Sequence, residues 1–289
     1  LTIFTVVLAV ATWFFVEQPL RKRTRELGPN RILIVSATSL TLLAGFGLYG
    51  HFMQGFKDRF EIAESVYQSL ARTERRAECF DLDRVHERDD FYCKFGDREK
   101  DPTLLVFGDS HSLSFLPAID YASRNTEMSG IFVGASGCTP LLEIHALRND
   151  QNIRNCHSLN ERVLSYAKRN GIDTVFLVAR WTYYTDGGYE GEGLSYIALE
   201  TDAPKDKDRS REAFEVGLHR TVEAYKDAGI DLIFVSQVPQ QLIDPMEIYV
   251  KASLNQQQTV DDWSVSVSQH ERLQRYVNNL FVSQNVAQL

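Results

Sequence analysis

The sequence is poor in the features that would tie it to nucleic acid or to a metal. Its 289 residues carry 31 Lys and Arg against 39 Asp and Glu, a net charge of −8. Phosphate binding needs clustered basic side chains, so nucleic acid is not an expected partner. No C-x-x-C pair and no cluster among the seven histidines is present, so no metal site is expected. There is no internal repeat. The chain also lacks an initiator methionine: it opens at Leu1 inside an apolar run, which suggests a fragment cut at its N-terminus.

Charge is absent from two early segments, residues 1–16 and residues 32–49. A bilayer core of about 30 Å takes about 20 apolar helical residues. The second run meets that length, and the first would if it continued upstream. Between them lie Arg21, Lys22, Arg23, Arg25 and Arg31, the excess of basic residues expected of a short cytoplasmic loop. The predicted arrangement is a transmembrane helix running inward, a basic cytoplasmic loop, and a second transmembrane helix over 31–50 running outward. Residues 51–289 are then extracytoplasmic. A cleaved signal peptide is the alternative, but no A-x-A-like site follows the second run.

The four cysteines, Cys79, Cys93, Cys138 and Cys156, all fall in the outer part. An even count in an oxidising compartment points to disulfides. Pairing by proximity gives Cys79–Cys93 and Cys138–Cys156, one of three connectivities that four cysteines allow.

Residues 51–102 read as a charged, membrane-proximal connector, with a helix expected over 60–76. From residue 103 short apolar strands alternate with amphipathic helices. Strands are expected at 103–107, 130–135, 173–180 and 230–239, and helices at 159–171, 209–229 and 266–285. A further helix follows Ser110. Proline is tolerated only near the first turn of a helix, so Pro117 predicts a start around Ser114 to Leu116. This alternation is that of a parallel sheet with helices on both faces. The Gly- and Asp-rich segment 185–208 is an insertion. In such folds the functional crevice lies outside the carboxyl ends of the strands. That edge holds Gly108–Ser110, Gly134–Pro140, Arg180–Tyr184 and Gln237–Gln240.

The run LLVFGDSHSLSFLPAID (104–120) sets Ser110 in the turn from a strand into a helix. A hydroxyl there is exposed, and the turn's own N–H groups face an incoming anion. Ser110 is therefore the candidate nucleophile. His111 is a poor candidate for its base, because adjacent residues of a helix start do not face each other. It is expected to shape the loop or line the pocket.

GDSHS, the GASGC turn at 134–138 and the strand end VARW at 178–181 resemble the SGNH hydrolase fold, a flavodoxin-like α/β architecture. FFVEQPLRKR (14–23), followed by one more apolar helix, resembles the tail of an acyltransferase family 3 membrane domain. The combination is similar to bacterial O-acetyltransferases that modify surface polysaccharides such as lipopolysaccharide O-antigen. Under that resemblance, residues 1–30 end the membrane domain, 31–50 are a transmembrane helix, 51–102 the connector, and 103–289 an SGNH-like domain incomplete at its C-terminus.

The resemblance implies Ser110 as nucleophile, Asp109 as organiser of its loop, and the Ser110 and Gly137 N–H groups as oxyanion donors. The third block of the family supplies an Asn, which is absent here; the Trp181 N–H, its indole or the Arg180 side chain are the substitutes. Arg180, Trp181, Tyr183 and Tyr184 are candidate sugar contacts, with core or loop packing as the alternative for the aromatics. The family's base and acid come from a late D-x-x-H block. The single D-x-x-H here, Asp83-Arg84-Val85-His86, precedes Ser110 and reads as coincidence. Asp261, Asp262 and His270 are the nearest late candidates, so the true pair is expected beyond residue 289. No cofactor is expected in this segment; acetyl-CoA would be the donor at the membrane domain. The expected partners are the lipid bilayer, in the bacterial inner membrane, and a surface polysaccharide acceptor. An anchored carbohydrate esterase and a non-catalytic glycan-binding domain are the rival readings.

Overall fold

The computed structural model describes residues 2–18, 29–53, 55–56, 77–80, 82, 91–254 and 259–289. The chain divides into two units, Leu1–Ala63 and Glu64–Leu289.

In the first unit, α1 (Thr2–Thr12) runs on through a π-helical turn at Trp13–Glu17. Helix α2 (Pro29–Phe52) contains Leu33–Phe52, the one described helical stretch long and apolar enough to cross a membrane. Its side chains are apolar on all sides, and Leu40, Leu42, Leu43 and Phe46 are all exposed. Such a surface matches an apolar surrounding rather than one buried stripe. The expected first span is helical over residues 2–16. The basic loop at 19–28 and the helix expected over 60–76 lie outside the described residues.

The second unit is built on a six-stranded sheet. Its strands are β1 (Cys93–Gly96), β2 (Leu104–Gly108), β3 (Ser129–Gly134), β5 (Thr174–Val178), β7 (Asp231–Val235) and β8 (Ala287–Gln288), in spatial order β1-β3-β2-β5-β7-β8. All neighbours are parallel except β1, which runs antiparallel along β3. The five parallel strands have the flavodoxin-like order, which reverses direction beside β2. A separate two-stranded ribbon joins β4 (His145–Ala146) to β6 (Ile197–Ala198). Strand β1 lies inside the stretch expected to be connector. Its four residues, CKFG, are too short and mixed to announce a strand, yet Phe95 is buried and the strand covers the β3 edge.

Both faces of the sheet are buried. Leu105 and Phe107 of β2 join one apolar cluster, while Leu104 and Val106 join the other. That split follows from side chains alternating across a strand, and it explains why β2 reads as an unbroken apolar run. On one face α5 (Asp150–Arg169), α6 (Lys207–Asp227) and α8 (Val267–Ser283) contribute Leu159, Val163, Phe214, Leu218, Val277 and Phe281. On the other, α3 (Ala77–Phe80) and α4 (Ser110–Asn125) contribute Phe80, Leu113 and Leu116. Helix α7 (Pro245–Leu254) completes the set.

Two helices start earlier than expected. Helix α5 begins at Asp150 because the Asn149 side chain caps it, accepting from Asn152 N–H at 2.9 Å. Helix α4 begins at Ser110, so Pro117 sits in its interior rather than its first turn. The Asp109 cap fixes the start, and Pro117 falls on the exposed side of the helix. An interior proline costs about 3 kcal/mol, which the cap and the burial of Leu113 and Leu116 offset. Cys79 is bonded to Cys93, and Cys138 to Cys156, the proximity pairing.

Candidate active site

Strands β2, β3, β5 and β7 end in register at Gly108, Gly134, Val178 and Val235. The segments that leave those ends therefore meet. Gly108 allows the closest approach: a β-carbon there would sit 1.7 Å from the Val178 carbonyl oxygen. The next residue, Asp109, is buried, and Ser110 beyond it is exposed.

Asp109 ties the nucleophile loop to the end of β5. One carboxylate oxygen accepts from the His111 N–H at 2.8 Å, capping α4. The other accepts from the Arg180 N–H at 3.0 Å and from the Tyr184 hydroxyl at 2.9 Å. The Asp109 carbonyl receives the Ser112 hydroxyl at 2.6 Å. Burial pushes the Asp109 carboxyl above its ordinary value, and the charge of His111, the two N–H groups and the tyrosine hydroxyl hold it back. Burial lowers His111, against the attraction of Asp109 and with the repulsion of Arg180. Tyr184 is driven well above the usual phenol range, first by burial and then by Asp109.

Ser110 opens into a cavity of about 180 Å3 lined by Asp109, His111, Ser136, Gly137, Arg148, Arg180 and Tyr183. Gly137 has φ +72°, a backbone setting that favours glycine, and any β-carbon there would run into Arg148. Among the described residues neither the Ser110 nor the Gly137 N–H donates to a protein acceptor. Two unused amides in one cavity suit an oxyanion. The turn that carries Gly137 is anchored by Asn152, whose side-chain amide donates to the Ser136 carbonyl at 3.1 Å. Asn152 also touches both sulfurs of the Cys138–Cys156 bond.

Most of the expected strand-end residues converge here. Arg180 donates from Nη2 to Gln240 Oε1 at 2.7 Å, and Gln237 Oε1 receives the Thr182 N–H at 3.0 Å. Trp181 takes the packing alternative rather than the contact role. It is fully buried against Phe214, Phe234 and Phe281, and its indole N–H is spent on the Val235 carbonyl at 2.8 Å. It is a core residue, neither indole donor nor sugar platform. Tyr184 is buried too, so only Tyr183 and Arg180 of that group face the cavity. The reason is the 3-10 turn Trp181–Tyr184, which returns Trp181 and Tyr184 inward.

His111 lines the cavity, but no hydrogen bond joins its ring to Ser110. Asp261, Asp262 and His270 do not line it. Asp262 receives Thr259, and His270 lies on α8. Asp83–His86 lie outside the described residues. No residue of the 185–208 insertion lines this cavity. The insertion borders a separate groove of about 640 Å3 with Gln269 and Arg272 of α8, beside a cluster of Asp186, Lys207 and Arg211. Of the lining residues, Arg148 is the one the sequence does not indicate. Ser136 sits within the recognised GASGC turn, whereas Arg148 follows β4 with no local signal.

No curated protein matches the chain by sequence. Among solved structures, the periplasmic domain of the lipopolysaccharide acetyltransferase of Salmonella ser. Paratyphi A aligns at a TM-score of 0.46 and 14% identity, over 66% of this chain and 67% of that one. A candidate acylhydrolase from Bacteroides fragilis aligns at 0.33 and 10% identity, over 68% and 69%. The family model described as the SGNH domain fused to AT3 domains matches residues 78–288, from the first disulfide to the last strand. The sheet order, the Gly-Asp-Ser turn and that match agree: this chain belongs to the family of SGNH domains that are fused to AT3 domains.

Proposed function

We propose that the chain is the outer part of an O-acetyltransferase that carries an acetyl group as an ester on Ser110 and delivers it to a hydroxyl of a bacterial surface polysaccharide. The observation that carries this reading is the Asp109 network. It holds an exposed serine at the end of β2, and Ser110 and Gly137, whose N–H groups have no acceptor among the described residues, line the same cavity.

In the first step Ser110 Oγ bonds to the acyl carbonyl carbon, its proton passes to a base, and the donor's leaving group departs. The acceptor hydroxyl then attacks the ester and releases Ser110, which regains a proton. Each tetrahedral intermediate places its negative oxygen against the Ser110 and Gly137 amides. One such donor is worth about 10²–10³ in kcat. The family resemblance gives the role of base to the histidine of a D-x-x-H block; among the described residues no such pair lines the cavity.

The apolar α2 helix and the two disulfides support a membrane-anchored protein whose second unit faces an oxidising, extracytoplasmic space such as the periplasm. An acyltransferase membrane domain would supply acetyl from cytoplasmic acetyl-CoA. To test the reading, the natural protein, with its membrane domain and the D-x-x-H histidine that the resemblance implies, is given p-nitrophenyl acetate in native membranes and the Ser110 peptide is analysed by mass spectrometry. An acetyl increment on Ser110, absent after Ser110→Ala, is expected. No increment, or one that survives the substitution, defeats the reading.

A further inference from the structure

The cavity that holds Ser110 also holds two guanidinium groups, and among the described residues neither forms an ion pair with a carboxylate. Arg148 is exposed and lies across Gly137; its hydrogen bond is to Ser136 Oγ at 3.3 Å, a neutral and long contact. Arg180 is half-buried. Its Nη2 reaches the neutral Gln240, its face rests 5.1 Å from the Tyr183 ring, and its Nε is buried with no hydrogen-bond partner. The one carboxylate lining the cavity, Asp109, is committed through both oxygens to other donors. Glu192 feels the field of Arg180, but it is bound to its own loop through the Glu190 N–H at 2.9 Å.

The proposed reading gives the oxyanion to the Ser110 and Gly137 amides. That leaves two planar cationic forks beside the nucleophile without a matched anion. Guanidinium forks bind carboxylate and phosphate through paired N–H donors. We propose that the acceptor is an anionic sugar, whose carboxylate or phosphate sits against Arg148 and Arg180 and so presents a neighbouring hydroxyl to the Ser110 ester. The cavity of about 180 Å3 has room for a single ring of this kind. The inference rests on the acyl-transfer reading for the role of the hydroxyl, but anion binding is measurable without turnover.

The test uses the full chain carrying Ser110→Ala, in detergent micelles, titrated by calorimetry. The probes are trigalacturonate against neutral galactotriose, and glucose 6-phosphate against glucose. At least one anionic probe is expected to bind about tenfold or more tightly than its neutral counterpart; which one does identifies the anion. Arg148→Gln, a change at an exposed position, should erase that preference, and Arg180→Gln should do the same where the melting curve shows the fold intact. Equal binding of anionic and neutral probes in both pairs overturns the proposal, as does a preference that survives Arg148→Gln. Ester formation at Ser110 is scored separately, so the two ideas stand or fall apart.

Discussion

Removing the Tyr184 hydroxyl should weaken the fold through Asp109. The Tyr184→Phe change leaves the ring and its packing in place, and no buried polar group of its own remains to be satisfied. What is lost is one of three hydrogen bonds to a buried carboxylate, the 2.9 Å bond to the oxygen that also receives the Arg180 N–H. A hydrogen bond to a charged group contributes about 1.5–3 kcal/mol. In a domain of this size each kcal/mol moves Tm by about 2–4 °C, so a fall of roughly 3–12 °C is expected. The loss has a pH signature. The hydroxyl stabilises the ionised carboxylate, so the penalty should be largest where Asp109 is charged. It should shrink as pH falls and the carboxyl, already raised by burial, takes up its proton. Unfolding of the full chain in micelles, followed by near-ultraviolet circular dichroism, measures both effects. A double-mutant cycle with Asp109→Asn should give a coupling of about 1 kcal/mol or more. A penalty below about 0.5 kcal/mol, or one that is the same with and without the Asp109 charge, refutes the network as described.

Gly108→Ala should prevent stable folding, because a β-carbon 1.7 Å from the Val178 carbonyl forces β2 and β5 apart; resistance to limited proteolysis equal to the parent chain would count against the register given above. Reducing the disulfides should lower Tm, since loops closed over separations of 14 and 18 residues are worth about 3 kcal/mol each. Replacing Cys138 and Cys156 by serine should also cut acetyl incorporation at Ser110 more than replacing Cys79 and Cys93; equal effects would remove the link to Gly137. His111 and His145 are both held below the ordinary histidine value of 6.5 by burial, so at these two sites the fold binds fewer protons than the unfolded chain. Their contribution to stability should therefore be complete above 6.5 and fall as pH drops below it. A combined His111→Gln and His145→Gln variant should flatten that slope, and an unchanged slope would point to other groups.

Local grammar carried much of this architecture. The strand-Gly-Asp-Ser-helix run around Ser110 declares itself because one short segment supplies strand, turn, cap and helix. The parallel strands are legible for the same reason: their apolar runs are continuous and end in turns. What the sequence concealed depends on distant partners. Strand β1 becomes a strand only by lying along β3, and Pro117 is carried inside α4 only because Asp109 caps the helix seven residues before Leu116. For Trp181 the sequence leaves sugar contact and core packing both open; the choice is set by the pocket that Phe214, Phe234 and Phe281 form from three other elements. Arg148 reaches the cavity from the turn after β4, and nothing near it in the chain marks it out.

The Cys138–Cys156 bond adjoins Gly137, and Asn152 links that bond to the carbonyl of Ser136. Where thiols are kept reduced, the turn that carries Gly137 lacks its covalent anchor. On the proposed reading, closing that bond and finishing the pocket are one event, so the pocket is complete only in a chain whose thiols have been oxidised.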